Sequence, residues 1–242
     1  MASRAVMEVF VGTSGYAYRE WKGKFYPKDL PAKGMLRYYA ERFGAVELNG
    51  SFYRLPTAAS LEALAAQAPD GFRFAMKAPQ AITHFQRLKG SEKSAAEFVK
   101  VAAALGDKGG PLLFGLPPNM KKDVGRLDDF LAELPLKGKG AVQVAFEFRH
   151  ASWFDDEVLG VLRERGAALC VADADDELKV PREATAAFGY VRLRRDAYST
   201  AALKEWALWV KGRAWSAAYV FFKHEDEARG VGFAELFAGL MK

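Results

Sequence analysis

The sequence predicts an α/β protein with the fold of a single-domain (β/α)8 barrel of the TIM type. Three observations support this prediction. Eight short apolar runs recur along the chain, helix-like stretches separate most of them, and the length of 242 residues is close to the ~250 residues typical of such a barrel. Short apolar runs that end in polar or turn residues are typical of strands. The eight predicted strands are Val9–Ser14, Ala45–Asn49, Phe72–Lys77, Leu112–Leu116, Val142–Arg149, Ala167–Asp173, Tyr190–Arg194 and Ala218–His224.

The stretches between these strands carry helix start and stop signals, because capping residues precede several of them and Pro or Gly follows. The segment Asp175–Phe188 is interrupted by Pro181 and predicts an irregular sixth helix. No Pro/Gly cluster is long enough to be a linker, so residues 1–242 are expected to form one domain. The predicted helices are Ser60–Ala68, Ser91–Leu105, Asp123–Leu134, Asp155–Arg165, Thr200–Lys211 and Gly232–Met241.

The composition predicts a cytoplasmic globular protein. The single cysteine, Cys170, excludes an internal disulfide and lies in an apolar run, so we expect a buried structural thiol. The first residues lack the pattern of a signal peptide, and no run approaches the ~20 apolar residues that a membrane span needs. The net charge of +5 permits a phosphate-bearing or nucleic-acid partner but does not require one.

The longest predicted loop follows the first strand and is rich in aromatic residues. It runs from Gly15 to Lys33 and includes Tyr16, Trp21 and Tyr26. Such aromatics next to lysines and arginines can stack on nucleic-acid bases. Packing of the same rings over the top of the barrel is the favoured interpretation, since aromatic residues dominate core packing.

Alternation within the strands assigns side chains to the two faces of the barrel wall. The outer face packs under helices and must be apolar, so the polar face points into the barrel and its mouth. Strand seven, for example, places Arg192 and Arg194 inside. Strands six and eight do not alternate clearly, so Asp173, Lys223 and His224 are assigned only to strand ends. The mouth is predicted to gather Ser14, Glu47, Asn49, Lys77, Glu147, Arg149 and Arg192.

This mixed-charge mouth has two interpretations. Buried charges are costly unless they are paired or used, and an ion-pair network that closes the top of the barrel would explain them. Charges of both signs in one concave site also indicate function, because such sites shift pKa values and hold polar ligands.

The sequence does not favour a divalent metal ion as a cofactor, although it leaves one open. His84, His150 and His224 each follow a predicted strand and could join acidic residues as ligands, but no compact metal-binding spacing is present. The chain also lacks a Walker loop and a Gly-x-Gly-x-x-Gly motif, so nothing points to a nucleotide-binding fold.

Ordered motifs along nearly the whole chain resemble those of the DUF72 (YecE-like) family. The resemblance implies a TIM-barrel fold and supplies no biochemical activity. Strand seven departs from the family pattern, since it reads Val-Arg-Leu-Arg-Arg where members often have Arg-x-His-Gly, and strand eight ends in Lys-His-Glu-Asp where asparagines are common. The resemblance rests on Val11–Tyr18, Trp21–Pro27, Val46–Pro56, Lys77–Pro79, Ile82–His84, Leu116–Pro118 and Phe146–Trp153. It carries family-type positions onto Glu47, Asn49, Tyr53, Lys77, His84, Glu147, Arg149, His150 and Trp153.

Two hypotheses for function follow, and the sequence leaves open whether the protein is an enzyme. In the first, the barrel acts on a phosphorylated or polyanionic ligand, which could be nucleic acid. Arginines would hold phosphate oxygens, a glutamate would serve as general base, and the reaction would be phosphodiester hydrolysis if a metal is present.

In the second hypothesis, the barrel is a carbohydrate-directed isomerase or hydrolase in which Glu47 and Glu147 supply acid and base while Trp21, Tyr53 and Trp153 stack on a ring. A non-catalytic binding protein would use the same mouth. The candidate catalytic residues are Glu47, Lys77, Glu147 and Asp173. The candidate ligand-binding residues are Ser14, Tyr16, Asn49, Tyr53, His84, Arg149, His150, Trp153 and Arg192.

Overall fold

The computed structural model of the chain describes residues 6–223 and 226–242. Eight parallel strands close into a barrel in sequence order, because β1 pairs with both β2 and β8. The predicted fold class is confirmed. The N-terminal residues 1–5 and His224, which the sequence placed at the end of strand eight, lie outside the described residues. The strands are β1 Glu8–Ser14, β2 Ala45–Leu48, β3 Arg73–Lys77, β4 Gly109–Gly115, β5 Val144–Glu147, β6 Ala168–Asp173, β7 Phe188–Leu193 and β8 Ala217–Phe222.

Seven α-helices surround the barrel in the described part of the chain. Asp123, Asp155 and Ser199 cap three of them, since each side-chain oxygen accepts a backbone N–H of the first turn. Gly166 ends one helix in the left-handed conformation, with φ 73°. The helices are α1 Met35–Ala40, α2 Ala58–Ala65, α3 Glu92–Ala102, α4 Val124–Ala132, α5 Asp156–Arg165, α6 Thr200–Lys211 and α7 Arg229–Met241.

The connection from β6 to β7 differs from the prediction. Residues 174–187 contain no helix, where the sequence predicted an irregular one. Pro181 cannot donate a backbone hydrogen bond, and the residue before a proline is disfavoured in the helical conformation. Asp176, Leu178 and Val180 of this segment instead line a cavity, and Thr185 further along it binds the backbone of Ala167 and Leu169 at the start of β6.

The alternation predicted for the strands is confirmed by two separate buried clusters. Phe74, Phe146 and Val191 belong to the large cluster between the barrel wall and the helices. The smaller cluster fills the barrel and settles strands six and eight, which the sequence left open. Phe10 and Tyr219 stack with ring centroids 5.0 Å apart in this cluster. Its members are Phe10, Ala45, Ala75, Leu113, Ala145, Ala168, Cys170, Phe188, Tyr190, Ala217, Tyr219 and Phe221.

The aromatic loop after β1 packs against the barrel, as the favoured interpretation predicted. Trp21 and Tyr26 are fully buried, and their ring centroids lie 6.1 Å apart. Phe25 packs edge-on against Tyr38 of α1. These rings are part of the core and do not form a platform for stacked bases.

The thiol of Cys170 is buried inside the barrel, and burial raises its pKa well above the usual range. It is a structural thiol, as the apolar run indicated. Among the helices that the structure describes, none combines the length and apolar character that crossing a membrane requires.

Candidate functional site

Arg192 lies at the centre of the barrel mouth and joins two buried carboxylates from opposite parts of the wall. It follows Tyr190, a member of the interior cluster, by two positions on β7, so it points into the barrel. Its Nη2 donates to Oε1 of Glu47 on β2 at 2.8 Å, and its Nη1 donates to Oε2 of Glu147 on β5 at 2.7 Å. All three side chains are almost completely buried. The pairing therefore satisfies charges that burial would otherwise make very costly.

Glu147 binds two further arginines. Arg194 Nη1 donates to its Oε1 at 2.7 Å, and Arg149 Nη2 donates to its Oε2 at 3.1 Å. Burial alone would raise the pKa of Glu147, but the guanidinium groups of Arg192, Arg149 and Arg194 outweigh burial and hold that pKa far below its usual range. We call the five residues Glu47, Glu147, Arg149, Arg192 and Arg194 the arginine network.

Glu47 is held mainly by neutral donors. Ser14 Oγ donates to its Oε1 and Tyr190 Oη donates to its Oε2, both at 2.7 Å. Burial raises the pKa of the Tyr190 hydroxyl well above its usual range, so this group stays a donor. Ser14 was predicted in the mouth from the sequence, whereas Tyr190 was not. The same alternation that placed Arg192 inside would have found it.

Lys77 ends β3 beside the arginine network. Ser51 Oγ donates to its backbone carbonyl at 2.6 Å, which fixes the end of the strand. The Nζ lies 4.3 Å from the ring centroid of Phe52, within range of a cation–π interaction. Burial, together with the positive charge of Arg192, lowers the pKa of Lys77 to about 8. Phe52 lies within the motif Val46–Pro56, but it was not among the site residues predicted from the sequence.

A cavity of about 530 Å³ opens beside the network. Glu147, Arg149 and Arg194 form one wall, and the helix-free segment after β6 forms another. The Nε of Arg149 is buried and has no hydrogen-bond partner among the described residues. Buried donors are nearly always paired in proteins, so an unpaired one beside a cavity needs an explanation.

Two further candidates lie at the rim next to Lys77. His84 packs edge-on against the ring of Phe52, with centroids 4.9 Å apart, and its Nδ1 is 2.9 Å from Thr83 Oγ1. Burial lowers the pKa of His84, and the nearby charge of Arg149 lowers it further. Tyr53 is 77% exposed, which is unusual for a large aromatic side chain.

Two candidates, His150 and Trp153, serve the local structure. His150 caps a helical turn, because its Nδ1 accepts the backbone N–H of Ser152 at 3.1 Å. Trp153 is fully buried, stacks on Phe148 at 4.7 Å, and donates from Nε1 to the carbonyl of Met120. A core tryptophan of this kind cannot stack on a ligand, and the same holds for the buried Trp21.

Tyr16 and Asn49 line a different cavity of about 460 Å³, which α2 also borders. Leu48 and Met76 of the outer barrel face line it too, so this cavity is distinct from the mouth. The buried Oδ1 of Asn49 has no hydrogen-bond partner in the described part of the chain.

Asp173 lies on the outer face of the barrel wall, apart from the other candidate catalytic residues with which the sequence grouped it. Leu169 and Val171 of the same strand pack against the outer helices, so alternation places Asp173 on the outer face. Its carboxylate accepts from Arg195 Nε at 2.9 Å and from Trp206 Nε1 of α6 at 3.2 Å. It is therefore separated from Glu47 and Glu147 by the barrel wall.

The acidic and histidine side chains do not gather into a metal-ligand set within residues 6–223 and 226–242, where no group of three or more His, Cys, Asp or Glu has a suitable arrangement. The carboxylates of the mouth are instead bound by arginines.

Comparison with known proteins gives the chain a family. A family model described as "Protein of unknown function DUF72" matches residues 10–242. The UPF0759 protein YunF of Bacillus subtilis is 26% identical over 178 residues, which make up 68% of this chain. The match spans 60% of the length of that relative.

Solved structures with the same fold include other DUF72 proteins. One from Thermotoga maritima has a TM-score of 0.81 and 25% identity, and the match covers 97% of this chain and 99% of that one. One from Enterococcus faecalis has a TM-score of 0.77 and 17% identity, with 98% of each chain covered. A D-psicose 3-epimerase from Clostridium cellulolyticum, solved with D-tagatose, has a TM-score of 0.56 and 12% identity, and the match covers 97% of this chain and 98% of that one. This likeness shows a shared fold alone. Because the family model matches residues 10–242, which are almost the whole chain, the chain belongs to the DUF72 family.

Proposed function

We propose that the barrel mouth binds a small phosphorylated ligand and that the protein is an enzyme or ligand-binding barrel acting on it. One observation carries the proposal: cations outnumber carboxylates on the strand side of an open cavity, while Asp176 and Glu177 line it from the segment after β6. The arginine network contains three guanidinium groups against two carboxylates, and Lys77 adds a further cation. Because both carboxylates are already bound, the excess charge is available to an anionic ligand.

Arg149 is the side chain we expect to meet the phosphate. It is 30% exposed, lines the cavity, and keeps a buried Nε without a partner among the described residues. The planar guanidinium group can bind two phosphate oxygens at once, which gives both affinity and orientation. The cavity volume lies within the range of roughly 300–1,000 Å³ common for small-molecule sites.

The glutamates are better suited to positioning than to proton transfer. A general base works best when its pKa lies near the working pH, and three arginines hold the pKa of Glu147 far below that range. Glu47 is fully buried and accepts from Ser14, Tyr190 and Arg192. We therefore assign both glutamates the task of fixing the arginines, and we leave contact with the ligand to Arg149 and Lys77.

The carbohydrate alternative has less support. It needs two carboxyl groups that are free to act as acid and base, and both glutamates are bound by arginine. It also needs exposed rings, and of the three proposed rings Trp21 and Trp153 are buried while Tyr53 is exposed.

Ligand binding by the mouth can be tested with Arg149→Ala and a control, Arg37→Ala, that removes the same charge from the exposed surface of α1. Glu147 keeps Arg192 and Arg194 in the first variant, so we expect it to fold. Isothermal titration with inorganic phosphate, phosphorylated sugars, free sugars and short oligonucleotides should show phosphate-dependent binding to wild type and Arg37→Ala. Arg149→Ala should bind roughly tenfold or more weakly, as loss of a charge-assisted hydrogen bond implies.

Equal binding by both variants, or preference for free sugars over phosphorylated ones, would contradict the proposal. Binding of oligonucleotides alone, with affinity that falls steeply as salt rises, would indicate nucleic acid as the ligand.

A further inference from the structure

Lys77 is placed differently from the other cations of the mouth. Arg149, Arg192 and Arg194 each bind a carboxylate of the network, whereas no described carboxylate lies within 4.0 Å of the Lys77 Nζ. Its ammonium group lies instead over the apolar face of Phe52. Burial and the charges of Arg192 and Arg149 lower the pKa of Lys77 and outweigh the charges of Glu147 and Glu47, which raise it, so the neutral, nucleophilic form is more populated than in an ordinary lysine.

The surrounding backbone leaves room for the stem of the lysine beside Glu147. Gly115 at the end of β4 has no side chain, and a Cβ there would lie 3.7 Å from Lys77 Cε and 3.1 Å from Glu147 Oε2. The lysine stem can therefore lie along the wall between β3 and β4. Arg149, the residue expected to bind phosphate, donates to the same Oε2 of Glu147, so the lysine stem and the Arg149 guanidinium lie near one carboxylate oxygen.

We propose that Lys77 forms a Schiff base with the carbonyl carbon of a phosphorylated aldehyde or ketone. The phosphate part of this inference rests on the proposed function, with Arg149 holding the phosphate and Lys77 meeting the carbonyl. The arginines cannot take this role, since a guanidinium group stays protonated in proteins. A lysine pKa of about 8 means that about a tenth of the amine is neutral at pH 7, far more than in an ordinary lysine.

The chemical step balances without a further reactant. The ammonium first loses a proton to solvent or to the imidazole of His84, which packs on the same Phe52 ring. The nitrogen lone pair then forms the C–N bond while the C=O π electrons move to oxygen, and transfer of one proton from nitrogen to that oxygen gives a carbinolamine. One further proton is added to the hydroxyl, which leaves as water while the nitrogen lone pair forms the C=N bond of the protonated imine.

Trapping with sodium borohydride tests the inference on the intact protein. Borohydride supplies the hydride that reduces the imine to a stable secondary amine, so the protein gains the mass of one ligand less one oxygen atom. We would incubate wild type with dihydroxyacetone phosphate or glyceraldehyde 3-phosphate, reduce, and locate the adduct by peptide mass spectrometry. We expect labelling of Lys77, loss of the adduct in Lys77→Met and Lys77→Arg, and protection by inorganic phosphate. Lys108, whose Nζ donates to the carbonyls of Ala65 and Ala68, is an internal control that should stay unlabelled.

The outcomes separate the two proposals. Phosphate binding without an adduct on Lys77 overturns the Schiff base and leaves the proposed function standing. If unphosphorylated dihydroxyacetone gives the same yield of adduct, and inorganic phosphate does not lower that yield, the reactive amine is supported but the phosphorylated ligand is overturned. Labelling spread over the surface lysines, with no preference for Lys77, overturns the inference.

Discussion

The inner and outer faces of the barrel wall hold acidic groups in different ways. Glu147 ends β5 on the inside, is fully buried, and binds three arginines. Asp173 ends the neighbouring strand β6 on the outside, where Arg195 and the indole N–H of Trp206 bind it near solvent. Both groups follow an apolar run in the sequence, but Glu147 lines a cavity together with Arg149 and Arg194, whereas Asp173 fixes a helix to the wall. The face of the strand, more than its end, therefore decides the role of a charged residue.

The largest expected effect comes from removing the central arginine. Arg192→Met leaves Glu47 without its cation in a fully buried position, and breaking a buried ion pair in this way costs about 3–5 kcal/mol. The outer counterpart, Arg195→Met, removes an exposed pair and should cost at most about 1 kcal/mol. Urea unfolding of the two variants measures the difference. Similar losses of stability in both variants would contradict a larger contribution of the buried inner ion pairs than of the exposed outer one.

Acid should weaken the inner face strongly. The pKa of Glu147 is depressed in the folded protein, so its stabilising contribution is present above the ordinary carboxyl pKa and is lost as pH falls from there toward the depressed value. Thermal unfolding between neutral and acidic pH should therefore show decreasing stability below about pH 5. Glu147→Gln should have a shallower pH dependence in this range, and an unchanged slope would argue against a strongly depressed pKa.

A smaller effect is expected from the neutral donor to Glu47. Tyr190→Phe removes the hydroxyl that donates to Oε2 at 2.7 Å and leaves the ring in place. Loss of a hydrogen bond to a charged group should cost about 1.5–3 kcal/mol. The control Tyr219→Phe changes a tyrosine in the same interior cluster but at the floor, away from Glu47. Urea midpoints that agree for the two variants would indicate that the hydroxyl contributes little.

The smallest effect should follow Asp173→Asn. The amide keeps one oxygen for the Trp206 N–H and loses the ionic part of the contact with Arg195, which is half exposed. We expect a change within about 1 kcal/mol and unaltered phosphate binding, as is usual for surface ion pairs. If phosphate titration of this variant shows a large loss of affinity, Asp173 acts in the site despite its position on the outer face.

The fold and much of the mouth could be predicted because the alternation of apolar and polar residues along a strand assigns its side chains to the two faces of the wall. Strands with clear alternation, such as β5 and β7, placed Glu147 and Arg192 inside. Strand β6 is apolar on both faces, so the sequence could not assign Asp173. Local patterns also do not give the ion pairs: the pairing of Arg192 with Glu47, and the lack of a described carboxylate within 4.0 Å of the Lys77 Nζ, depend on which strands face each other across the closed barrel.

The contact between Arg192 and Glu47 joins residues 145 positions apart in the chain. The chain must bring β7 back to β2 before this contact can form, and closing so long a loop is slow and comes late in folding. Until then, Glu47 and Glu147 belong to an unfinished wall that lacks its central cation. We therefore expect Arg192 to slow unfolding strongly and to change the rate of folding little, so that the site also keeps the completed barrel from opening.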